Sequence, residues 1–306
     1  MADVTAHGNG AGARLPQGWG VDNAFMPLRD VLLAKPDNFK WLPMNSISRH
    51  TFANMEKVGF RFDKQTAMRQ HRQMVDIYES QGIRTHFIEV DDGLHYSIFA
   101  RDSSFMTPWG AVIASIQTPA RQRDYAVAAR FYLNAGIPIW RWVTAGFFEG
   151  GDFVIVEPES VLLGYAGDRS TREGAEQVAG WMRDKGWEAM TIPLPPQFVH
   201  MDAVLVMLGQ KVALVCTDAL ETYVIDWLKA RGIRFIDVPY RECVKLGGNV
   251  VYLGDDRIIS MAHNKNLNER LRAEGFEVFA PEFDMFTLGG GGVHCACHEI
   301  RRDSAA

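Results

Sequence analysis

Cys295 follows the run GGGGVH near the C-terminus, and it is the residue best suited to covalent chemistry. A thiol attacks an electrophilic carbon as the thiolate, and a neighbouring histidine is the usual means of generating it and of protonating the leaving group. His200 has acidic company, with Asp202 two residues on in HMDAVLVML. Further carboxylates sit in two short polar stretches, Asp102 in FARD and Glu149 with Asp152 in FEGGD. Such acids would repel the negative oxygen that develops on an ester or amide. They suit a cation instead, and a guanidinium offers planar paired donors that carboxylates grip two at a time. Held beside the sulfur, that cation would itself favour the thiolate. Attack on the guanidino carbon and loss of an amine would leave a thiouronium, which water releases.

These residues are far apart in the chain, so the elements between them must bring them together. Five times an amphipathic helical segment runs into a glycine (Gly82, Gly136, Gly186, Gly232, Gly275) and then a short apolar strand, with a period of about fifty residues. Each glycine falls where a helix end needs a left-handed residue. A polar elbow follows each strand, and two apolar runs separated by a turn follow each elbow. A fixed period of this length marks stacked or radially arranged units, and five units close most economically into a ring that hides its sheet edges. The expected fold is therefore α/β, a five-bladed α/β propeller in which strand Asp30 to Pro36 and the C-terminal copy complete one blade together. In a ring the elbows converge on one end of the axis. They carry Asp102, Glu149 with Asp152, His200 with Asp202, Asn249, and His294 with Cys295.

FARD, FEGGD, HMDAVLVML and GGVHC, in this order, resemble the guanidine-modifying enzyme superfamily of arginine deiminases, dimethylarginine dimethylaminohydrolases and amidinotransferases. The resemblance runs from about Asp30 onward. It implies a five-bladed propeller with no metal or organic cofactor, Cys295 as nucleophile, His200 as general acid/base, and Glu149 as the carboxylate that orients substrate and His200. It also implies Asp102 and Asp202 as guanidinium ligands. GDRSTREGAE resembles the family's Arg-Thr stretch and makes Arg169 a candidate clamp for a substrate carboxylate. TPARQR resembles the loop that supplies a second clamp, leaving Arg121 and Arg123 undistinguished. Asp152 is read equally as a turn residue and as a substrate ligand.

Other features narrow the field. The net charge of -5 and the lack of a basic block argue against nucleic acid or an anionic membrane as partner, and no run approaches the roughly 20 apolar residues of a membrane helix. A small-molecule guanidino substrate fits, and a homo-oligomer is compatible with the sequence. Four cysteines, Cys216, Cys243, Cys295 and Cys297, are too irregular for a disulfide framework, so a reducing cytoplasm is the natural setting. Residues 1–18 read as a disordered tail and 19–306 as a single catalytic domain. HCACH, residues 294–298, suggests zinc, but read as a strand it sends Cys295 and Cys297 one way and His294 and His298 the other. Asn249 reads as structural, and Trp140, Trp142, Phe147 and Phe148 as core. The leading function is hydrolysis of a guanidino C–N bond. Transfer of the amidino group to an amine is the alternative, and a non-catalytic propeller used for binding is the alternative of another class.

Overall fold

The computed structural model describes residues 18–44, 46–89 and 91–305. The tail expected over residues 1–18 lies, except for Gly18, outside them. The described residues form five three-stranded mixed sheets. In sequence order the strands are β1 (Leu28–Ala34), β2 (Arg84–Ile88), β3 (Ser104–Thr107), β4 (Gly110–Ile113), β5 (Ile139–Trp142), β6 (Phe153–Glu157), β7 (Ser160–Tyr165), β8 (Glu188–Pro193), β9 (Leu205–Gly209), β10 (Val212–Val215), β11 (Arg234–Asp237), β12 (Val251–Gly254), β13 (Arg257–Ile259), β14 (Glu277–Phe279) and β15 (His298–Arg302). The sheet orders are β15-β1-β2, β3-β4-β5, β6-β7-β8, β9-β10-β11 and β12-β13-β14.

Each of the last four sheets is an antiparallel hairpin plus one parallel strand, as in β6-β7 followed by β7-β8. A parallel neighbour requires a crossover. Helices supply it at Asp124–Asn134, Arg172–Arg183, Thr222–Ala230 and Lys265–Ala273. The glycines ending these segments do so for the expected reason: Gly82, Gly136, Gly186, Gly232 and Gly275 have φ between 67° and 99°, a range open to glycine and strained for other residues.

Hydrophobic pattern decides strand position. The middle strand β7, SVLLGY, is buried over its first five residues because both faces are covered. The outer strand β5, IWRW, is only half covered, and Trp142 is exposed. The expectation that Trp142 lies in the core is therefore corrected, since an edge strand buries one face at most. Trp140 and Phe147 are half-buried, and Phe148 is fully buried.

The first sheet joins the two ends of the chain, with β1 antiparallel to β15 and parallel to β2. Asp30 is buried in β1, where Arg84 Nε and His86 Nε2 each approach its carboxylate at 2.8 Å and Arg301 Nε at 2.5 Å. A buried carboxylate without such partners would cost several kcal/mol.

Candidate active site

Three of the polar elbows fold as single turns of 3-10 helix, Ala100–Ser103, Gly150–Asp152 and Met201–Ala203, each just before the first strand of a sheet. The first turn touches the second, and the second touches the third. Glycine permits this approach. A Cβ on Gly151 would lie 2.8 Å from the His200 ring, so an elbow with a side chain there would push the imidazole away.

The turns bring the sequence-expected groups together. His200 Nε2 lies 3.1 Å from Glu149 Oε2, and its Nδ1 lies 3.6 Å from Asp102 Oδ1. Asp152 Oδ1 accepts from the backbone N–H of Met201 at 2.8 Å, which anchors the residue beside His200. Asp202 Oδ2 is 2.7 Å from His294 Nδ1 and 3.7 Å from Cys295 Sγ. All these side chains are buried.

Charge balance among buried groups sets their protonation. Burial pulls the His200 ring toward neutrality, but the carboxylates of Asp102 and Asp152 and the bond to Glu149 overcome it and raise its pKa to about 9. Burial pushes the Glu149 carboxyl up, yet Arg169 and His200 hold it well below the usual carboxylate range. Asp152 rises to about 6 through burial, against the pull of His200. Burial pushes the Asp202 carboxyl up, but the hydrogen bond from His294 with the nearby charges of His200 and Arg101 lowers it, while burial holds the His294 ring itself toward its neutral form. Cys295 goes the other way: burial, Asp202 and Asp102 all hold its thiol well above the ordinary range.

Two of the candidate clamp arginines bond carboxylates of the site. Arg169 donates from Nε to Glu149 Oε1 at 2.9 Å and from Nη2 to Glu149 Oε2 at 2.6 Å, with Asp102 Oδ2 3.4 Å away. Arg121 is buried, bonding Asp102 through Nη1, Asp124 through Nε at 2.9 Å, and the Phe99 carbonyl at 3.1 Å. Both guanidinium groups are engaged with these buried carboxylates. The physical reason is that several carboxylates meet at one point, and these arginines neutralise them. Arg123 is exposed and separate from this network, so the structure distinguishes the two arginines of TPARQR.

HCACH is also corrected. Residues 293–296 form a turn and β15 begins only at His298. The backbone N–H of Ala296 bonds to Gly292 O at 3.1 Å and that of Cys297 to His294 O at 3.2 Å. The preceding glycines allow this curl where a strand was expected. His294 and Cys295 consequently both reach Asp202, whereas Cys297 Sγ lies 3.8 Å from Arg101 Nη2. Asp102, Glu149 and His200 have ligand atoms within 4.8 Å of one another, a spacing a metal ion can use. Arg169 and Arg121 already bond these carboxylates, so a metal ion would have to displace them.

Two contributors lay outside the expected set. Arg101, the arginine of FARD, donates from Nε to the carbonyls of His294 at 3.1 Å and Cys297 at 3.0 Å, and its backbone N–H bonds Cys295 O at 3.2 Å. It fixes the Cys295 turn from behind, and its position beside Asp102 was the available signal. Asn249, read as structural, donates from Nδ2 to Cys295 Sγ at 3.2 Å.

Comparison with known proteins places this arrangement. The profile of the family described as N,N dimethylarginine dimethylhydrolase, eukaryotic, matches residues 35–302. The uncharacterized protein YkgA of Bacillus subtilis is 27% identical over 275 residues, covering 90% of this chain and 92% of YkgA. An arginine deiminase of Rhodococcus erythropolis is 25% identical over 253 residues, covering 70% of this chain and 62% of the deiminase. Among solved structures, SxtG, an amidinotransferase from Microseira wollei, superposes with a TM-score of 0.79 over 94% of this chain and 98% of its own. At 16% identity that likeness is one of fold. Among the described residues, no helix is long and apolar enough to cross a membrane.

Proposed function

The chain belongs to the N,N dimethylarginine dimethylhydrolase family, and from that premise we propose that it is a hydrolase cleaving a C–N bond at the guanidino carbon of an arginine-like small molecule. The five sheets are read as the blades of one propeller domain over residues 19–306, with the elbows at one end of its axis. One observation carries the functional reading. Asp102 and Asp202 each keep a buried Oδ1 without a hydrogen-bond partner, and both charges act on the Cys295 thiol. Two orphaned anionic acceptors beside a nucleophile invite a planar cation with paired N–H donors.

The mechanism follows from the protonation states. In the free site the thiol keeps its proton and His200 is an imidazolium. A bound guanidinium offsets the carboxylate charge that holds the thiol up, and the thiol gives its proton to solvent water, since His200 already carries one. The thiolate attacks the guanidino carbon, and His200, oriented by Glu149, protonates the departing amine. The resulting thiouronium is attacked by water as neutral His200 accepts a proton, and the thiolate leaves. Asp152 holds Met201, and through it the position of His200.

The test is a product screen of the full chain against arginine, methylated arginines, agmatine and guanidino acids, with Cys295→Ser beside the parent. The expected result is a urea-type product from the parent, none from Cys295→Ser with binding retained, and an amidine inactivator bonded to Cys295. Turnover by Cys295→Ser comparable to the parent would overturn the reading. Product formation that depends on an added amine acceptor would replace hydrolysis by amidino transfer.

A further inference from the structure

We propose that Asn249 is a catalytic residue, the side-chain donor that holds Cys295 sulfur as a thiolate and aims it at the substrate. The inference rests on the reading of Cys295 as nucleophile. It begins from a deficit: Cys295 is only 7% exposed, and the nearest charges acting on it are negative. An anionic sulfur in such a place needs hydrogen-bond donors. The side-chain groups that reach Sγ are Asn249 Nδ2 at 3.2 Å and Asp202 Oδ2 at 3.7 Å. A carboxylate repels a thiolate, so Asn249 supplies the favourable contact, joined by the backbone of Gly292.

The amide can be oriented only one way. Asn249 Oδ1 accepts from the backbone N–H groups of His294 at 3.0 Å and Cys295 at 3.3 Å. A flipped amide would set its own N–H against both donors. With the oxygen so fixed, Nδ2 must face Sγ, and its second contact is the Asp202 carbonyl at 3.5 Å. Asn249 itself is fully buried, with its backbone N–H held by Leu246 O at 3.1 Å. Opposite it, Gly292 leaves the space the amide fills: a Cβ there would overlap Asn249 Oδ1. Asparagine in LGGNV and the fourth glycine of GGGG are thus two halves of one fit between neighbouring elbows.

The contact strengthens when sulfur is charged. It therefore favours the thiolate before attack and again when the thiolate is expelled from the thiouronium. Lowering a thiol's pKa costs intrinsic nucleophilicity, but only by about half the gain in thiolate fraction. Since the thiol starts far above neutral pH, the gain dominates.

The experiment compares the full-length parent with Asn249→Asp, Asn249→Ala and Asn249→Ser. It reads the pH dependence of iodoacetamide labelling at Cys295 by mass spectrometry, together with kcat and thermal unfolding. Asn249→Asp keeps the size and the two acceptor contacts and replaces the donor by a carboxylate oxygen, whose charge opposes a thiolate as well, so Asn249→Ala beside it isolates the loss of the donor. Asn249→Asp should move the labelling midpoint up by about one pH unit or more and lower kcat about 10- to 100-fold, the range of a hydrogen bond to a charged group. Asn249→Ala should lose as much, and Asn249→Ser, whose hydroxyl can donate, should fall between Ala and the parent. If Asn249→Asp labels and turns over within twofold of the parent at every pH, Asn249 only props the turn and the proposal is overturned. Should Asn249→Asp unfold, Ser equal to Ala would overturn it in the same way. A parent that labels at Cys295 but turns over no guanidino compound would instead sink the function proposed above, because the labelling midpoints still report on Asn249.

Discussion

Replacing Arg169 by glutamine separates two roles for that side chain. Its guanidinium makes a two-bond fork on Glu149, at 2.9 and 2.6 Å, and is only 19% exposed, while Glu149 is wholly buried. Breaking a buried pair by removing one partner costs about 3–5 kcal/mol, because the other charge is left uncompensated. Solvent reaches a fifth of Arg169, and His200 remains beside Glu149, so the cost is smaller than that range, about 2–4 kcal/mol. At about 2 °C per kcal/mol for a chain of this size, the melting temperature should fall by roughly 4–8 °C at pH 7.5.

The deficit should depend on pH in one direction. In the parent, the Glu149 carboxyl is held below its ordinary value of 4.5. Its stabilising contribution is therefore present above that pH and is lost as pH falls through the lower folded value. In Arg169→Gln the same carboxyl takes up a proton at higher pH, so the difference between variant and parent is largest at neutral pH and shrinks on acidification. Paired thermal melts from about pH 7.5 down to about pH 3 measure this. Arg169 also opposes the positive charge of His200, so the variant's alkaline activity limb should move upward. The reasoning is refuted if Arg169→Gln melts within about 1 °C of the parent while KM rises at least about tenfold for guanidino acids and not for agmatine. That pattern would mean Arg169 clamps a substrate carboxylate and leaves Glu149 alone.

The arginines of TPARQR should behave unequally: Arg121→Ala strands Asp102 and Asp124, both buried, and should lower stability by about 3–5 kcal/mol in urea unfolding, while exposed Arg123→Ala should stay within about 0.5 kcal/mol. Similar effects of the two would contradict the placement of Arg121. His200 has its folded pKa raised from 6.5 to about 9, so its contribution, about 3 kcal/mol at about 1.4 per pH unit, is full below pH 6.5 and lost as pH rises through 9. Urea unfolding across that window should show the decline, His200→Asn should flatten it, and the parent's kcat/KM should fall on the alkaline side near pH 9. An unchanged slope in His200→Asn would remove His200 as its source.

The parts legible in the sequence were those written locally. A glycine with positive φ after each helix, a hairpin of two apolar runs and a polar elbow each leave a mark within about ten residues, and the pairing of the chain ends in β15-β1-β2 followed from counting copies. The elbows could also be named as the place where Asp102, Glu149, His200 and Cys295 meet. What could not be read were pairings between elbows. Nothing near Arg169 in GDRST indicates that it will bond Glu149, 20 residues upstream on the neighbouring turn. Asn249 looked structural because its partner sulfur is 46 residues away. HCACH was misread because alternation assumes a strand, and the glycines before it let the chain turn.

The pairings also change the electrostatic argument that the acids first suggested. Taken as a list, Asp102, Glu149, Asp152 and Asp202 make a strongly negative site that would attract any cation. Folded, Glu149 is matched by Arg169 and His200 and Asp102 by Arg121, while Asp202 has a hydrogen bond with the His294 ring, which burial keeps toward its neutral form. Without those partners, burial would force the carboxyls to keep their protons, and there would be no anion to hold a substrate or to orient His200. With them, part of the carboxylate charge is offset. Selection then falls to particular atoms, the Oδ1 of Asp102 and of Asp202, which accept no hydrogen bond and which a guanidinium can meet with separate N–H groups and a lysine-type ammonium, a point charge without a planar fork, meets less well. The arginines let the acids stay ionised in the core and leave recognition to the geometry of two oxygens.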